Sequence, residues 1–142
     1  KGVLVLRHCT AKWAMENDIV SAVSFNPIII VNGEGVIKHG TGGWGIAPRT
    51  AIGQRKSGEM IFMVIDGRQV GHSIGADLLP LPETLLSEGC HNAAMMDGGS
   101  STVMIYNKEF VNKPSLGFER YINNCWVVLP CETEEEQENS EE

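Results

Sequence analysis

Features that would place this chain in several protein classes are scarce in its sequence. Basic residues are few and do not cluster, with 11 Lys and Arg against 18 Asp and Glu, which argues against nucleic-acid binding. No apolar run approaches the ~20 residues that a membrane-spanning helix needs. No signal peptide opens the chain, because Lys1 and Gly2 lead directly into a short strand-like run, so we expect a mature form or a fragment.

Metal-ligating side chains are also few and lack the spacing of a metal site. The cysteines form no Cys-x-x-Cys pair, so we expect no zinc site, and they are either free or joined in one or two bridges. The histidines show no ligand spacing, which favours solvated or packed side chains. These residues are Cys9, Cys90, Cys125, Cys131, His8, His39, His72 and His91.

What is present fits one globular domain followed by a charged tail. The 142 residues are 42% hydrophobic and 20% charged, as in ordinary globular domains. The net charge of -7 arises mainly at the end of the chain, where residues 132–142 hold seven carboxylates and no cation. Such a run is typical of a solvated, disordered tail. We therefore predict a domain over residues 1–131 and an acidic disordered tail over residues 132–142.

Short strand patterns outnumber helical ones, which predicts an α+β domain with a mainly antiparallel sheet packed by one or two helices. Two hairpins are expected, one around Asn32-Gly33 and one around residues 55–59. Residues 60–65 are apolar throughout, which indicates a strand buried on both faces. The expected strands are 28–31, 36–37, 49–54, 60–65, 93–96, 103–106 and 126–129, with a further β-rich run at 3–6. The expected helices are 11–17, capped by Thr10, and the end of 73–89, with Pro82 in its first turn and Gly89 after its last.

The stretch of residues 93–106 has the densest grouping of reactive side chains. An apolar run ends at Asp97, and a polar loop follows before a second apolar run, which predicts strand, tight loop, strand. The loop consists of Gly98, Gly99, Ser100, Ser101 and Thr102. Its glycines let the backbone approach a ligand, and bare N–H groups with three hydroxyls suit an anion. An ordinary hairpin turn is the alternative interpretation.

A second buried strand also ends in an Asp-Gly pair, at Asp66-Gly67-Arg68, and this repetition argues against a chance turn. Two carboxylates brought together by adjacent strands are the usual equipment for glycosidic cleavage. Arg49 opens another strand, and a guanidinium grips a phosphate through two parallel hydrogen bonds. A simple turn role for Asp66, and surface ion pairs for Arg49 and Arg68, are the alternatives.

Three motifs, taken in order, resemble the phosphodiester glycosidase family. They are Pro48-Arg49-Thr50-Ala51-Ile52-Gly53-Gln54, Val64-Ile65-Asp66-Gly67-Arg68-Gln69 and Asn92-Ala93-Ala94-Met95-Met96-Asp97-Gly98-Gly99-Ser100-Ser101-Thr102. Asn112-Lys113-Pro114-Ser115 and Glu119-Arg120-Tyr121 resemble the closing motifs of the bacterial branch. The resemblance runs from about residue 25 to residue 129. It implies the C-terminal part of a larger family domain, because the family carries further strands before this point.

The resemblance implies hydrolysis of a sugar-1-phosphodiester at the anomeric carbon, which releases the free sugar and a phosphomonoester. By likeness, Asp97 and Asp66 would be catalytic. Arg49, Arg68, Arg120 and the loop Gly98, Gly99, Ser100, Ser101 and Thr102 would bind the substrate and its phosphate. A phosphate has a second pKa of about 6 and leaves readily. Holding that phosphate and stabilising an oxocarbenium-like sugar are therefore the heavier demands.

The implied partner is a phosphorylated glycan such as an envelope polymer, and the implied location is extracellular or in the cell envelope. No cofactor is expected, although a divalent ion at Asp66 or Asp97 stays open because hard cations favour carboxylate oxygens. Pairing with a second copy also stays open. The alternatives to an enzyme are a non-catalytic phosphoglycan-binding module and a structural domain in exopolysaccharide assembly. The presence of both Asp66 and Asp97 favours the enzyme, because a pure anion binder needs no carboxylate.

Overall fold

The computed structural model describes residues 2–38 and 44–130. His39, Cys131 and the tail expected over residues 132–142 lie outside the described residues. The strands are β1 (Ile28–Val31), β2 (Glu34–Gly35), β3 (Arg49–Arg55), β4 (Met60–Ile65), β5 (Cys90–Met96), β6 (Ile105–Tyr106) and β7 (Glu109–Phe110), and the helices are α1 (Ala11–Glu16) and α2 (Leu81–Ser87). No helix within these ranges is long and apolar enough to cross a membrane.

The main sheet has five strands in the order β2-β1-β5-β3-β4, and every paired neighbour is antiparallel. The predicted α+β class with a mainly antiparallel sheet is therefore confirmed. Strand β3 lies between β5 and β4. Since both neighbours run opposite to β3, they run in the same direction as each other. Strands β4 and β5 consequently end at the one edge of the sheet where β3 begins.

Helix α2 packs against the sheet and contributes to the hydrophobic core. Leu81 and Leu85 are fully buried on it, and they pack with Ile29, Ile30 and Met95 of the sheet. Leu and Ile side chains buried in this way stabilise a fold by roughly 1.5–3 kcal/mol each. The predicted second helix is thereby confirmed. Its first turn contains a proline and its end is followed by a glycine with φ of +77°, as expected for Pro82 and Gly89.

The short helix α1 also follows its predicted cap. The Thr10 side chain accepts a hydrogen bond from the Trp13 N–H at 3.2 Å, which satisfies one free donor of the first turn. None of its residues is buried, so α1 adds nothing to the core. The thiols of Cys9, Cys90 and Cys125 are free.

The interpretation of β4 as a strand buried on both faces is wrong. It is the outermost strand of the sheet, and its Met60 and Phe62 are exposed. A continuous apolar run does not reveal whether a second neighbour exists, so it cannot separate a central strand from an edge strand. The return strand of the first hairpin is β2 rather than residues 36–37, because the two-residue turn Asn32-Gly33 pairs Val31 directly with Glu34.

The predicted strand after the polar loop is confirmed in its last part, because Ile105–Tyr106 form β6, which pairs with β7 in a separate two-stranded sheet. Two other strand predictions fail for a related reason. Residues 126–129 form no strand, and Val127, Val128 and Leu129 are exposed. The run at 3–6 forms no strand either. High β propensity describes a side chain that suits a sheet, but it does not supply a partner strand.

Candidate functional site

Two Asp-Gly pairs flank the start of β3. Arg49 pairs with Ile65 on one side, and Thr50 pairs with Met96 on the other, so Asp66 and Asp97 are each the next residue beyond the same sheet edge. We name the two segments the Asp66 corner (Asp66, Gly67, Arg68) and the Asp97 corner (Asp97, Gly98, Gly99).

The glycine of each pair packs against one residue, Pro48, from opposite sides. A Cβ on Gly67 would lie 2.7 Å from the Pro48 nitrogen, and a Cβ on Gly98 would lie 2.7 Å from the Pro48 carbonyl oxygen. Both contacts are with backbone atoms, which cannot move aside as a side chain can. Only glycine therefore fits at these positions, and this close packing brings the two carboxylates to the same edge.

The Asp66 carboxylate is hydrogen-bonded at both oxygens. Its Oδ1 accepts from the Asn112 side-chain amide at 3.0 Å and from the Lys113 N–H at 2.9 Å, and its Oδ2 lies 2.7 Å from His72 Nε2. The Asp66 side chain is only 18% exposed. The Ser73 hydroxyl donates to the Asp66 carbonyl at 2.6 Å, which ties down the backbone as well.

These contacts keep Asp66 ionised. Partial burial raises the pKa of its carboxyl, but the hydrogen bonds from His72, Asn112 and the Lys113 N–H, together with the charge of His72 when protonated, outweigh that effect and hold the pKa below its ordinary value. Asp66 is thus a negative charge whose lone pairs are committed to protein donors.

The Asp97 carboxylate faces solvent. Its side chain is 60% exposed, and its ion pair is with Arg120, whose Nη2 lies 3.5 Å away. The same guanidinium donates to the Ser101 hydroxyl. Exposed pairs of this kind contribute about 0–1 kcal/mol to stability, so Arg120 is held here only weakly. A carboxylate and a guanidinium at one exposed point are available to a ligand.

The loop after Asp97 is closed by its own backbone. The N–H groups of Gly99, Ser101 and Thr102 donate to the carbonyls of Pro48, Gly98 and Gly99 at 2.9, 3.1 and 3.2 Å. Residues 99–101 thereby form a 3₁₀ turn. A bare N–H concavity was expected, but three of these N–H groups are already used. The hydroxyls of Ser100 and Ser101 and the neighbouring guanidinium groups are further means of holding an anion.

Arg68 reaches across to this loop. Its backbone has φ of +60°, which is unusual for a residue with a side chain. A Cβ on Gly99 would lie 3.1–3.4 Å from the Arg68 guanidinium, so the cation lies directly over the Gly99 backbone. Together with Arg120, it places two positive charges beside the Ser100–Ser101 turn. An uncommon backbone angle kept at an exposed arginine is the kind of strain found at binding sites.

Asn112 connects the two corners. Its Nδ2 donates to Asp66 Oδ1 at 3.0 Å and to the Thr102 carbonyl at 3.1 Å, while its Oδ1 accepts from the Met104 N–H at 2.7 Å. Thr102 is buried, and its hydroxyl meets that of Thr50 at 3.2 Å. The Asp66 corner, the polar loop and the start of β3 therefore form one hydrogen-bonded unit.

Arg49 lies at the same edge, but its guanidinium is turned inward. It is 3% exposed; Nε donates to the Ala76 carbonyl at 2.9 Å, and Nη2 donates to the carbonyls of Trp44 and Gly45. Successive strand residues face opposite sides, and Thr50 faces Thr102, so Arg49 points away from the polar loop. Burial lowers the pKa of Arg49, the charge of Asp77 raises it, and the charge of Arg68 lowers it, with a net lowering. Phosphate binding by Arg49 stays a prediction.

No three His, Cys, Asp or Glu side chains group closely enough to hold a metal ion within residues 2–38 and 44–130. The divalent ion left open at Asp66 or Asp97 therefore has no cluster of further ligands among these residues.

Comparison with known proteins assigns the chain to a family. The sequence profile of the family described as phosphodiester glycosidase matches residues 1–129. The chain belongs to the phosphodiester glycosidase family. The resemblance noted on the motifs is thereby confirmed.

Individual relatives of this phosphodiester glycosidase family member match over a shorter region. The SPbeta prophage-derived uncharacterized protein YomE of Bacillus subtilis (strain 168) is 40% identical over 81 residues, which is 57% of this chain and 12% of the relative. N-acetylglucosamine-1-phosphodiester alpha-N-acetylglucosaminidase of Homo sapiens is 31% identical over 81 residues, which is 57% of this chain and 15% of the relative. The matched part is thus a small share of each relative.

Two solved structures resemble the fold. The zebrafish N-acetylglucosamine-1-phosphodiester alpha-N-acetylglucosaminidase catalytic domain, auto-inhibited by its pro-peptide, superposes with a TM-score of 0.53 at 25% identity, over 62% of this chain and 33% of that chain. A hypothetical protein from Synechocystis superposes with a TM-score of 0.52 at 26% identity, over 65% of this chain and 18% of that chain.

Sequence reasoning missed several residues of the site. His72 was expected to be a solvated or packed side chain, and Asn112 entered only as part of a family motif. Both contact Asp66 through loops, so no periodicity links them to it. Asp77, whose charge raises the pKa of Arg49, was not singled out either. A usable signal was the position of His72 six residues after Asp66 in a glycine-rich turn.

Proposed function

We propose that this chain hydrolyses a sugar-1-phosphodiester at the anomeric carbon and releases the free sugar and a phosphomonoester. The observation that carries the proposal is the Asp97 corner. Arg120 and the Ser101 hydroxyl lie beside the exposed Asp97 carboxylate, and Arg68 lies over the neighbouring Gly99 backbone. Two guanidinium groups suit the oxygens of a phosphodiester and the dianionic phosphate that leaves, and the carboxylate suits a developing positive charge on the sugar.

Within this proposal, Asp97 stabilises the oxocarbenium-like sugar, and Arg68 and Arg120 hold the phosphate. Asp66 and Arg49 act differently from Asp97, because their polar atoms are already paired inside the protein. We assign them to holding the two corners and the start of β3 in place. The substrate class is a phosphorylated glycan, and the location that suits such a substrate is extracellular or the cell envelope.

The test is turnover of a methyl phosphodiester of N-acetylglucosamine 1-phosphate. Release of free sugar and methyl phosphate in equal amounts supports the proposal. The matched variants are Arg68→Gln, which removes a charge beside the loop, and Lys56→Gln, which removes one at the β3–β4 turn. We expect the first to raise KM roughly tenfold or more and the second to leave turnover unchanged.

A non-catalytic phosphoglycan-binding module is the second candidate. The observation in its favour is that the chain spans 12–15% of the length of the curated relatives and 33% of the zebrafish catalytic domain, so groups outside this chain can contribute to a relative's site. Binding of the diester without product formation would favour this module over the enzyme.

A further inference from the structure

His72 is held directly against Asp66 by a tight turn. Gln69 N–H donates to the Ser73 carbonyl at 2.9 Å, and the Ser73 and His72 N–H groups donate to the Gln69 carbonyl at 3.0 and 3.1 Å. This folds the chain back so that His72 Nε2 lies 2.7 Å from Asp66 Oδ2. The His72 side chain is nevertheless 43% exposed, so one edge of the ring meets solvent.

The Asp66 carboxylate selects one form of the imidazole. An ionised carboxylate only accepts hydrogen bonds, so the nitrogen facing it, Nε2, must carry the proton. In the neutral ring the lone pair is then on Nδ1. Asp66 is in turn oriented by Asn112 and the Lys113 N–H at its other oxygen, which leaves Oδ2 for His72. This is a carboxylate-oriented imidazole with a free basic nitrogen.

The pair formed by Asp66 and His72 is connected to the polar loop that follows Asp97. Asn112 donates both to Asp66 and to the Thr102 carbonyl, so Asp66 lies one side chain away from the loop that follows Asp97. Arg68, whose guanidinium covers Gly99, belongs to the same tight turn as His72, because the Arg68 N–H donates to the Ile74 carbonyl at 3.2 Å. A substrate held by Arg68 would therefore be bound at the turn that carries His72.

We propose that His72 is the general base of the reaction assigned above, with Asp66 as the residue that positions it. This role of His72 rests on the proposed function. His72 Nδ1 takes a proton from a water molecule as the water oxygen bonds to the anomeric carbon. The bond from that carbon to the phosphate oxygen breaks, and its electron pair leaves on the phosphate.

This substrate needs a general base more than it needs a general acid. The leaving phosphate has a second pKa of about 6 and departs without strong protonation, whereas water is a weak nucleophile until a proton is removed. A positioned general base typically contributes 10²–10⁴-fold to rate. Asp66 is the titratable side chain in contact with His72, while Arg68 and Lys113 are the charged residues on the two segments that meet there.

The test compares His72→Gln with His91→Gln in the full chain, using the diester named above. Gln keeps a donor for Asp66 but cannot accept a proton. We expect His72→Gln to lower kcat on the order of 10²-fold with little change in KM, and to remove the rise of kcat/KM with pH on the acidic limb. His91, at the opposite end of β5, should tolerate the change. Asp66→Asn should lower kcat on the order of tenfold.

Nitrogen NMR of His72 gives a readout independent of turnover. The proposal predicts a proton on Nε2 in the neutral ring of the wild type and a mixture of tautomers in Asp66→Asn. A wild-type proton on Nδ1 would overturn it, as would a His72→Gln variant with kcat within threefold of wild type. If the wild type binds the diester but has no turnover, both proposals fail; if it turns over equally well without His72, only this one fails.

Discussion

The Asp66 and Asp97 corners begin alike and end in different surroundings. Each follows a strand that pairs with β3, and a Cβ added to the glycine of either corner would lie 2.7 Å from a backbone atom of Pro48. Yet the Asp66 carboxylate accepts hydrogen bonds from three groups, while Asp97 is mostly exposed and paired only loosely with Arg120. The same dipeptide at the same edge can thus serve to build a site in one case and to meet a ligand in the other.

The difference arises from the loops that cover each corner. Residues 69–73 and 112–113 fold over Asp66 and supply its donors. The Asp97 corner is approached by two long, flexible cations, Arg68 and Arg120, which can rearrange around a phosphate. A carboxylate with committed lone pairs holds structure, and one with free lone pairs can respond to charge that develops on a substrate.

The largest expected effect is the loss of turnover when the charge at the Asp97 corner is removed. Asp97→Asn keeps the shape and removes the charge, so we expect kcat to fall on the order of 10²–10³-fold with phosphate affinity equal or slightly higher. The control is Glu34→Gln, the same chemical change on β2, which is the outermost strand on the side of the sheet opposite β4. An Asp97→Asn enzyme with wild-type kcat would remove the distinction between the corners.

The next effect tests the packing that the corners share. Gly67→Ala and Gly98→Ala each force a methyl group against Pro48, so we expect both to lower the free energy of unfolding by about 1–3 kcal/mol. Gly2→Ala, where a Cβ would meet nothing within 4 Å, should leave it unchanged. Urea unfolding measures all three. A neutral Gly98→Ala would show that the Asp97 corner can shift away from Pro48.

Arg49 distinguishes a structural guanidinium from a phosphate ligand. A lysine at this position cannot reach the carbonyls of Ala76, Trp44 and Gly45 together, and bonds of this charged kind are worth about 1.5–3 kcal/mol each. We expect Arg49→Lys and Arg49→Ala to lower Tm by similar amounts, with phosphate Kd little changed. A weaker Kd at unchanged Tm would instead support the phosphate contact inferred from sequence.

The smallest effect is the acid dependence of stability. The pKa of Asp66 is lower in the folded protein than its ordinary value, so the ionised carboxylate stabilises the fold above the unfolded pKa. That contribution is lost as the pH falls through the folded pKa. Asp66→Asn should therefore show a shallower loss of stability than wild type between about pH 5 and pH 2. Parallel curves would mean that Asp66 has the same pKa in the folded and unfolded protein.

The local pattern of the sequence was enough to predict that both corners follow strand ends. The 49–54 and 60–65 hairpin was expected, and two Asp-Gly pairs after apolar runs marked strand ends. The partner of each strand was not predictable, because pairing is decided by distant segments. That is why β4 was taken for a strand buried on both faces and residues 126–129 for a core strand.

The side-chain contacts of the site residues were even less predictable from the sequence. Asn112 reaches Asp66 across 46 positions of sequence. Arg49 opens β3 as expected, but whether its side chain faces the polar loop or the carbonyls of Trp44 and Ala76 depends on where neighbouring loops fold. Residue type therefore indicated candidate groups, and tertiary contacts determine what each group can do.

The most direct test is a crystal structure of the protein with N-acetylglucosamine 1-phosphate bound. We predict phosphate oxygens between the Arg68 and Arg120 guanidinium groups, the sugar ring beside the Asp97 carboxylate, and the Asp66 hydrogen bonds unchanged. A phosphate bound by Arg49, or a sugar contacting Asp66 while Asp97 remains in solvent, would contradict it.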